Sequence, residues 1–342
     1  MTLMEKEIRE EPSRLNDTDI ENQDKIAEIS KTIHNRAIKQ IIIAARGSSD
    51  NAGNYFKYLC ETVAGIPVGF AAPSIITLYN GKLDLSQALT IAISQSGQAM
   101  DALAVVEQAK RQGGMTIAIT NDTQSPLAKT ADYHLYLNVG QEKSIAATKS
   151  FIAQMYILAM LVEGISQDET LSHEIKKIGG LIQDTINMSE TIAIQSLALL
   201  DAKDCFVLGR GFNNAIAHEF ALKLQETTYI KALGYATSDF YHGPFAMIEQ
   251  QSKVIILMPK DNTMPGSLEM IKKLEAIGAQ IIIFTDDSSL KYKNQVVLPK
   301  AHEYLSPFVF VVAAQIFVCN LSQKRGVNPD QPRGLKKITI TK

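Results

Sequence analysis

The chain repeats itself. Arg46-Gly47 is answered 164 positions later by Arg210-Gly211, and Thr120-Asn121-Asp122 is answered 165 positions later by Thr285-Asp286-Asp287. Gln154 and Gln315, each inside a long apolar run, stand 161 apart. Three matches at nearly one offset imply a duplicated unit. Within each copy, apolar β-branched runs alternate with helical spacing. Residues 41–45, 68–71, 89–93 and 115–120 read as buried strands, with a short strand near 135–138. Residues 205–208, 254–258 and 280–284 repeat the pattern in the second half. Helical spacing covers residues 20–37, 51–64, 99–112 and 145–161, then 214–228, 266–277 and 305–322. This alternation predicts the α/β class: two tandem units, each a parallel sheet flanked by helices.

With 342 residues, 46% of them hydrophobic and 20% charged, the chain has apolar material for two ordinary domains. The expected division is an N-terminal arm and helix start over 1–30, a first unit over 31–165, a helical connector over 166–199, a second unit over 200–325 and a tail over 326–342. Residues 4–12 read as a charged arm, either loose or packed against another subunit. A formal net charge of −2 argues against a nucleic-acid surface. Cys60, Cys205 and Cys319 are odd in number, far apart and set among apolar residues, which predicts buried reduced thiols. No clustered His or Cys spacing supports a metal. The charged first twelve residues lack an apolar signal core, and the apolar run 308–319 is shorter than the about 20 residues a bilayer requires. The expectation is a cytoplasmic protein with no membrane partner.

Residues 89–101, Leu-Thr-Ile-Ala-Ile-Ser-Gln-Ser-Gly-Gln-Ala-Met-Asp, carry the clearest chemistry. A strand that turns through Ser94-Gln95-Ser96-Gly97 into a helix presents backbone N–H groups at a positive helix end, which suits a phosphate. Ser94 and Ser96 add hydroxyl donors, and Ser49, like Gly211, falls beyond the carboxyl end of a strand. By itself the loop would read as a helix cap with a turn glycine. Gly209-x-Gly211-x-x-Asn214 lacks the third glycine of a dinucleotide fingerprint, and no phosphate-binding G-x-x-x-x-G-K-[ST] occurs.

With these stretches the chain resembles the double SIS-domain (sugar isomerase) proteins. It is similar to the isomerase half of glucosamine-6-phosphate synthase, and within that group to the type II glucosamine-6-phosphate deaminases. The likeness rests on residues 4–12, 46–52, 94–97, 146–149, 221–244 and 328–341. It implies that Ser49, Ser94, Gln95, Ser96 and Gly97 hold a sugar phosphate, with Lys223 and Ala146 also at the substrate. One departure stands out: Ala99 occupies a position where the synthase pattern has a hydroxyl residue. Met1 is followed by Thr2, whereas the synthase's glutaminase module has a cysteine there. The expectation is therefore ammonia release rather than glutamine-dependent synthesis.

Glu226 stands three residues after Lys223, so both share a helix face. A neighbouring ammonium favours the ionised carboxylate that a general base requires. Without the family likeness the pair would read as a surface ion pair. Tyr241-His242-Gly243-Pro244 sets a histidine before a turn, where it could equally cap a helix. The resemblance gives His242 the ring-opening proton transfer, supplied to the neighbouring subunit of a homodimer with a shared site. Terminal lysines are usually solvated charge, but Lys337 matches the family lysine that forms a Schiff base with an open-chain ketose, a role for a neutral amine. The reading is thus a deaminating isomerase that converts glucosamine 6-phosphate to fructose 6-phosphate and ammonia, with catalytic Glu226, His242 and Lys337 and no metal or organic cofactor. Alternatives are another phosphosugar isomerase, a fructosamine-6-phosphate deglycase, or a non-catalytic sugar-phosphate sensor.

Overall fold

The computed structural model describes residues 1–337; the rest of the expected tail, 338–342, lies outside the described residues. The chain divides into two compact units. The first comprises Ser13–Glu142, Lys149–Lys176 and the described residues from Lys336 onward. The second comprises Met1–Pro12, Lys143–Thr148 and Lys177–Leu335.

The sheet of the first unit is built from β1 (Ile41–Ala44), β2 (Val68–Phe70), β3 (Leu89–Ile93), β4 (Met115–Thr120) and β5 (Tyr133–Tyr136). Its strands are parallel, in the order β2-β1-β3-β4-β5. Every residue of β1, β3 and β4 is buried, because helices cover both faces of a parallel sheet and leave no face for polar residues. Helices α2 (Ser48–Leu59), α3 (Met100–Arg111) and α4 (Lys149–Ser166) belong to this unit.

The second unit contains β6 (Asp204–Gly209), β7 (Lys231–Ala236), β8 (Lys253–Met258), β9 (Gln280–Thr285) and β10 (Gln295–Val297). Its parallel sheet runs β10-β9-β8-β6-β7, which read from its other end is the order of the first unit. The duplication is therefore one of topology as well as of short motifs. Here α5 (Asn214–Thr228), α6 (Met264–Ile277) and α7 (Ser306–Lys324) flank the sheet. Phe220, Phe284 and Phe317 meet edge to face with centroids 5.4 to 5.7 Å apart, joining α5, β9 and α7 in one core.

Several expectations need correction. Residues 4–12 are no arm; they are the first turns of α1 (Leu3–Asn35), which runs through Pro12. Pro12 forfeits one helical hydrogen bond, but Met4, Ile8 and Leu15 are buried, and Asp330 caps the helix start by accepting from the N–H groups of Leu3 and Met4 at 2.8 Å each. Strand β5 begins two residues before the expected 135, and the helix expected over 145–161 begins at Lys149. Strands β7 and β10 were not expected. In β7 a Cβ on Gly234 would come within 2.8 Å of the α5 backbone at Ala217 and His218, so the strand uses glycine where the helix lies against it. Helix α7 is longer than the run 308–319. At 19 residues it is apolar and long enough to cross a bilayer by length and composition, yet 89% of its apolar window is buried as core. The three cysteines are buried and unpaired, and burial pushes Cys60 and Cys205 up to about 12, so neither thiol is reactive at neutral pH.

Candidate active site

In the first unit the strand order changes direction between β1 and β3, and ligands of such sheets bind beyond the carboxyl ends of the strands at that point. Ser49 follows β1 in the first turn of α2 and accepts a hydrogen bond from Gln154 Nε2 at 3.1 Å. The Ser94–Gly97 loop follows β3. Ser94 Oγ accepts from the Gly97 N–H at 3.2 Å, and Ser96 Oγ accepts from the Gln98 N–H at 3.3 Å. Each hydroxyl is thereby oriented as an acceptor toward the backbone, with its own proton left to donate. Arg46 Nε donates to the buried Asp101 carboxylate at 2.8 Å, tying the end of β1 to the first turn of α3. Ala99 caps α3 without a side-chain hydrogen bond.

Gly97 has φ +64°, and a Cβ there would collide with the Ser125 side chain. Gly97→Ala is expected to cost about 3 kcal/mol or more, from strain and overpacking together. The melting midpoint should fall and phosphosugar binding should weaken; an unchanged melt would contradict this packing.

A cleft of about 600 Å³ opens beside the loop. Gln95, Ser96 and Gln98 line it from the loop, Asn121 and Asp122 from the end of β4, and Glu142 and Lys337 from farther along the chain. Asn121 holds this wall together: its N–H donates to Gln95 O at 2.9 Å, its Nδ2 to Gly140 O at 2.7 Å, and its Oδ1 accepts from the Val139 N–H at 3.2 Å. Lys337 Nζ stands 2.5 Å from Glu142 Oε2. Burial would raise the Glu142 carboxyl, but the Lys337 ammonium and the Ser150 N–H and hydroxyl outweigh it and hold the group below the ordinary carboxylate range.

The other expected site residues belong to the second unit. On α5, Lys223 lies 2.5 Å from Glu226 Oε2 and 3.4 Å from Glu219 Oε1. Burial works against the ammonium, but the two carboxylates outweigh it and raise the Lys223 pKa. Lys223 and Glu219 are each 1% exposed, whereas the Glu226 side chain is 20% exposed. Of the three, only the Glu226 side chain is open to solvent. His242 is exposed just after the short helix Thr237–Phe240, with its N–H bonded to Asp239 O at 2.9 Å. Ala146 is fully buried, in a segment whose Lys143 and Ser144 N–H groups donate to the Glu7 carboxylate. Its methyl packs and presents no polar group.

The loop after β8, in the position of the serine loop, is filled differently. Asp261 Oδ1 accepts from the Thr263 N–H at 2.7 Å and from the Thr263 hydroxyl at 2.6 Å. A carboxylate already occupies the donors that an anion would use. Sequence reasoning did not single out Glu142, Asn121 or Glu219. Asn121 carried a signal as part of the repeated Thr120-Asn121-Asp122, and Glu142 lies four residues before the family stretch at 146–149. Among the described residues no cluster of three His, Cys, Asp or Glu side chains could hold a metal ion.

The sequence profile of the SIS domain matches residues 36–164 and again 198–324. The glutamine–fructose-6-phosphate aminotransferase (isomerizing) of Aquifex aeolicus is 33% identical over 346 residues, spanning 99% of this chain and 57% of its own length. The chain thus spans little more than half of that relative. The C-terminal domain of glucosamine-fructose-6-phosphate aminotransferase from Francisella tularensis superposes with a TM-score of 0.88 at 26% identity, over 97% of this chain and 98% of that one. The glucosamine-6-phosphate deaminase of Thermotoga maritima gives a TM-score of 0.73 at 22% identity, over 97% and 100% of the two chains, a likeness of fold. Two copies of one parallel sheet, a serine loop at the strand ends of the first, and two matches of one domain profile lead to one assignment: the chain belongs to the SIS-domain family, with two SIS domains in tandem.

Proposed function

We propose that the protein is a phosphosugar isomerase that releases ammonia, converting glucosamine 6-phosphate and water to fructose 6-phosphate and ammonia. The observation that carries this reading is the amine of Lys337 in the same cleft as Gln95 and Ser96. A primary amine beside an oxyanion-binding loop suits imine chemistry on a phosphorylated sugar. The phosphate is read by Ser49, Ser94 and Ser96 with the loop N–H groups, each charge-assisted bond contributing about 1.5–3 kcal/mol.

In this reading ring opening moves the C1 hydroxyl proton to the ring oxygen, with His242 of a second copy as its carrier. Glu226 then takes the C2 proton and returns it to C1, while a proton of the amine passes to the C1 oxygen, so the C2–N bond becomes an imine and C1 a primary alcohol. The Lys337 ammonium protonates the imine nitrogen and, now neutral, attacks C2. Ammonia departs and a Schiff base to Lys337 remains. Water hydrolyses it to the C2 ketone and returns Lys337 to its ammonium form. Nitrogen, oxygen and protons balance with no outside oxidant or reductant.

Ala99 favours a second reading, another phosphosugar as substrate, because the loop lacks one side-chain donor. A panel assay separates the two. Ammonia and ketose phosphate are measured with glucosamine 6-phosphate, unphosphorylated glucosamine, fructosamine 6-phosphates and neutral hexose 6-phosphates. The expected result is equimolar ammonia and fructose 6-phosphate from glucosamine 6-phosphate, with the unphosphorylated sugar turned over at least about 10²-fold more slowly. Isomerisation of a neutral hexose phosphate without ammonia from any amino sugar would overturn the deaminase reading.

A further inference from the structure

We propose that Glu142, itself gripped by Ser150, is the positioning residue that fixes the Lys337 amine in the cleft; this rests on the reading of Lys337 as the amine nucleophile. Lys337 comes from a stretch with Pro332 and Gly334 and no regular structure from residue 328 to 337. A lysine on such a stretch has about 2 kcal/mol of side-chain entropy to lose before its amine is held in one place. Reactions of this kind depend on that placement, since a misplacement of about 1 Å can cost about 10²-fold in rate.

Glu142 supplies a fixed point. Its side chain is fully buried, and both of its oxygens are held by one residue at the start of α4. Oε1 accepts from the Ser150 N–H at 3.0 Å, and Oε2 from the Ser150 hydroxyl at 2.7 Å. The carboxylate therefore cannot swing, and it sits at a helix N-terminus, where negative charge is favoured. Its remaining capacity on Oε2 is directed at Lys337 Nζ, 2.5 Å away. A buried ion pair is a poor source of net stability, because desolvation cancels most of the attraction. The pair makes better sense as a placement device. The donors from Ser150 keep Glu142 an acceptor, so it orients the ammonium while the proton goes to the substrate nitrogen.

The test is reductive trapping. Protein is mixed with fructose 6-phosphate, reduced with borohydride, and the C-terminal peptide is weighed by mass spectrometry, alongside kcat and KM for the 6-phosphate substrate. Wild type is expected to carry the reduced sugar adduct on Lys337. Glu142→Gln should lower both trapping and kcat by about 10- to 100-fold, with KM changed less than about threefold because the serine loop is untouched. Ser150→Ala keeps the N–H bond and loses only the hydroxyl, so it should fold normally and show a smaller loss of the same two quantities. If Glu142→Gln fails to fold, Ser150→Ala decides. Wild type trapped, with the folded variants trapped and turning over equally well, would overturn the positioning role and leave the Lys337 reading standing. An untrapped wild type would overturn the Lys337 reading itself, and the positioning role with it.

Discussion

Glu226→Gln is expected to lower kcat by about 10³-fold, the range of a lost general base, while the melting curve stays near that of wild type. The reason for the second half lies in the cluster on α5. Removing the Glu226 charge leaves Lys223 facing Glu219 at 3.4 Å, both 1% exposed, so the buried ammonium keeps a counter-ion. A large fall in stability would mean that Glu226, not Glu219, is the structural partner. His242→Ala should be comparably inactive, and the two inactive variants together test the proposed sharing. If each site combines Glu226 of one copy with His242 of another, a heterodimer carries both lesions in one site and none in the other. Co-refolding equal amounts should then recover about a quarter of wild-type activity by random assortment. Verified heterodimers as inactive as either parent would exclude a shared site.

Lys223→Met should have the largest effect on stability, a loss of about 3–5 kcal/mol, as when one member of a buried charge pair is removed. Two carboxylates, Glu219 and Glu226, would then face one another across a buried apolar side chain. Thermal or urea denaturation reads the loss directly. Adding Glu219→Gln to Lys223→Met should recover part of it, because one of the two stranded charges is gone. A Lys223→Met protein as stable as wild type would mean that the ammonium is not what holds the two acids in place.

The legibility of the fold followed burial. Strands β1, β3, β4 and β8 lie inside their sheets, are covered on both faces, and so read as unbroken apolar runs such as Ile41-Ile42-Ile43. The edge strands β7 and β10 gave no such signal. In β7, Lys231 and Leu233 are exposed and Gly234 yields to the helix beside it, so the six residues resemble a loop. Strand β10 has three residues, too few for a period to register. The first turns of α1 were hidden by Pro12, because the groups that compensate it, among them Asp330, are remote in sequence. The serine loop was readable since its strand, turn and helix are contiguous. Glu142 was not, because its meaning depends on Ser150 and Lys337, the second of which is 195 residues away.

The cap on α1 has a consequence for the order of folding during synthesis. Met4 and the carboxylate that closes its helix end are separated by 326 positions, so the first turns of α1 emerge long before their cap exists. Residues 13–142 and 149–176, by contrast, follow one another almost without interruption and supply a complete five-stranded sheet. Chains generally fold as they are made, early segments first. Here residues 3–12 must wait, with Met4 and Ile8 uncovered, until residue 330 has been translated. The opening turns of α1 are thus among the last of these residues to become native, although they are made before either sheet.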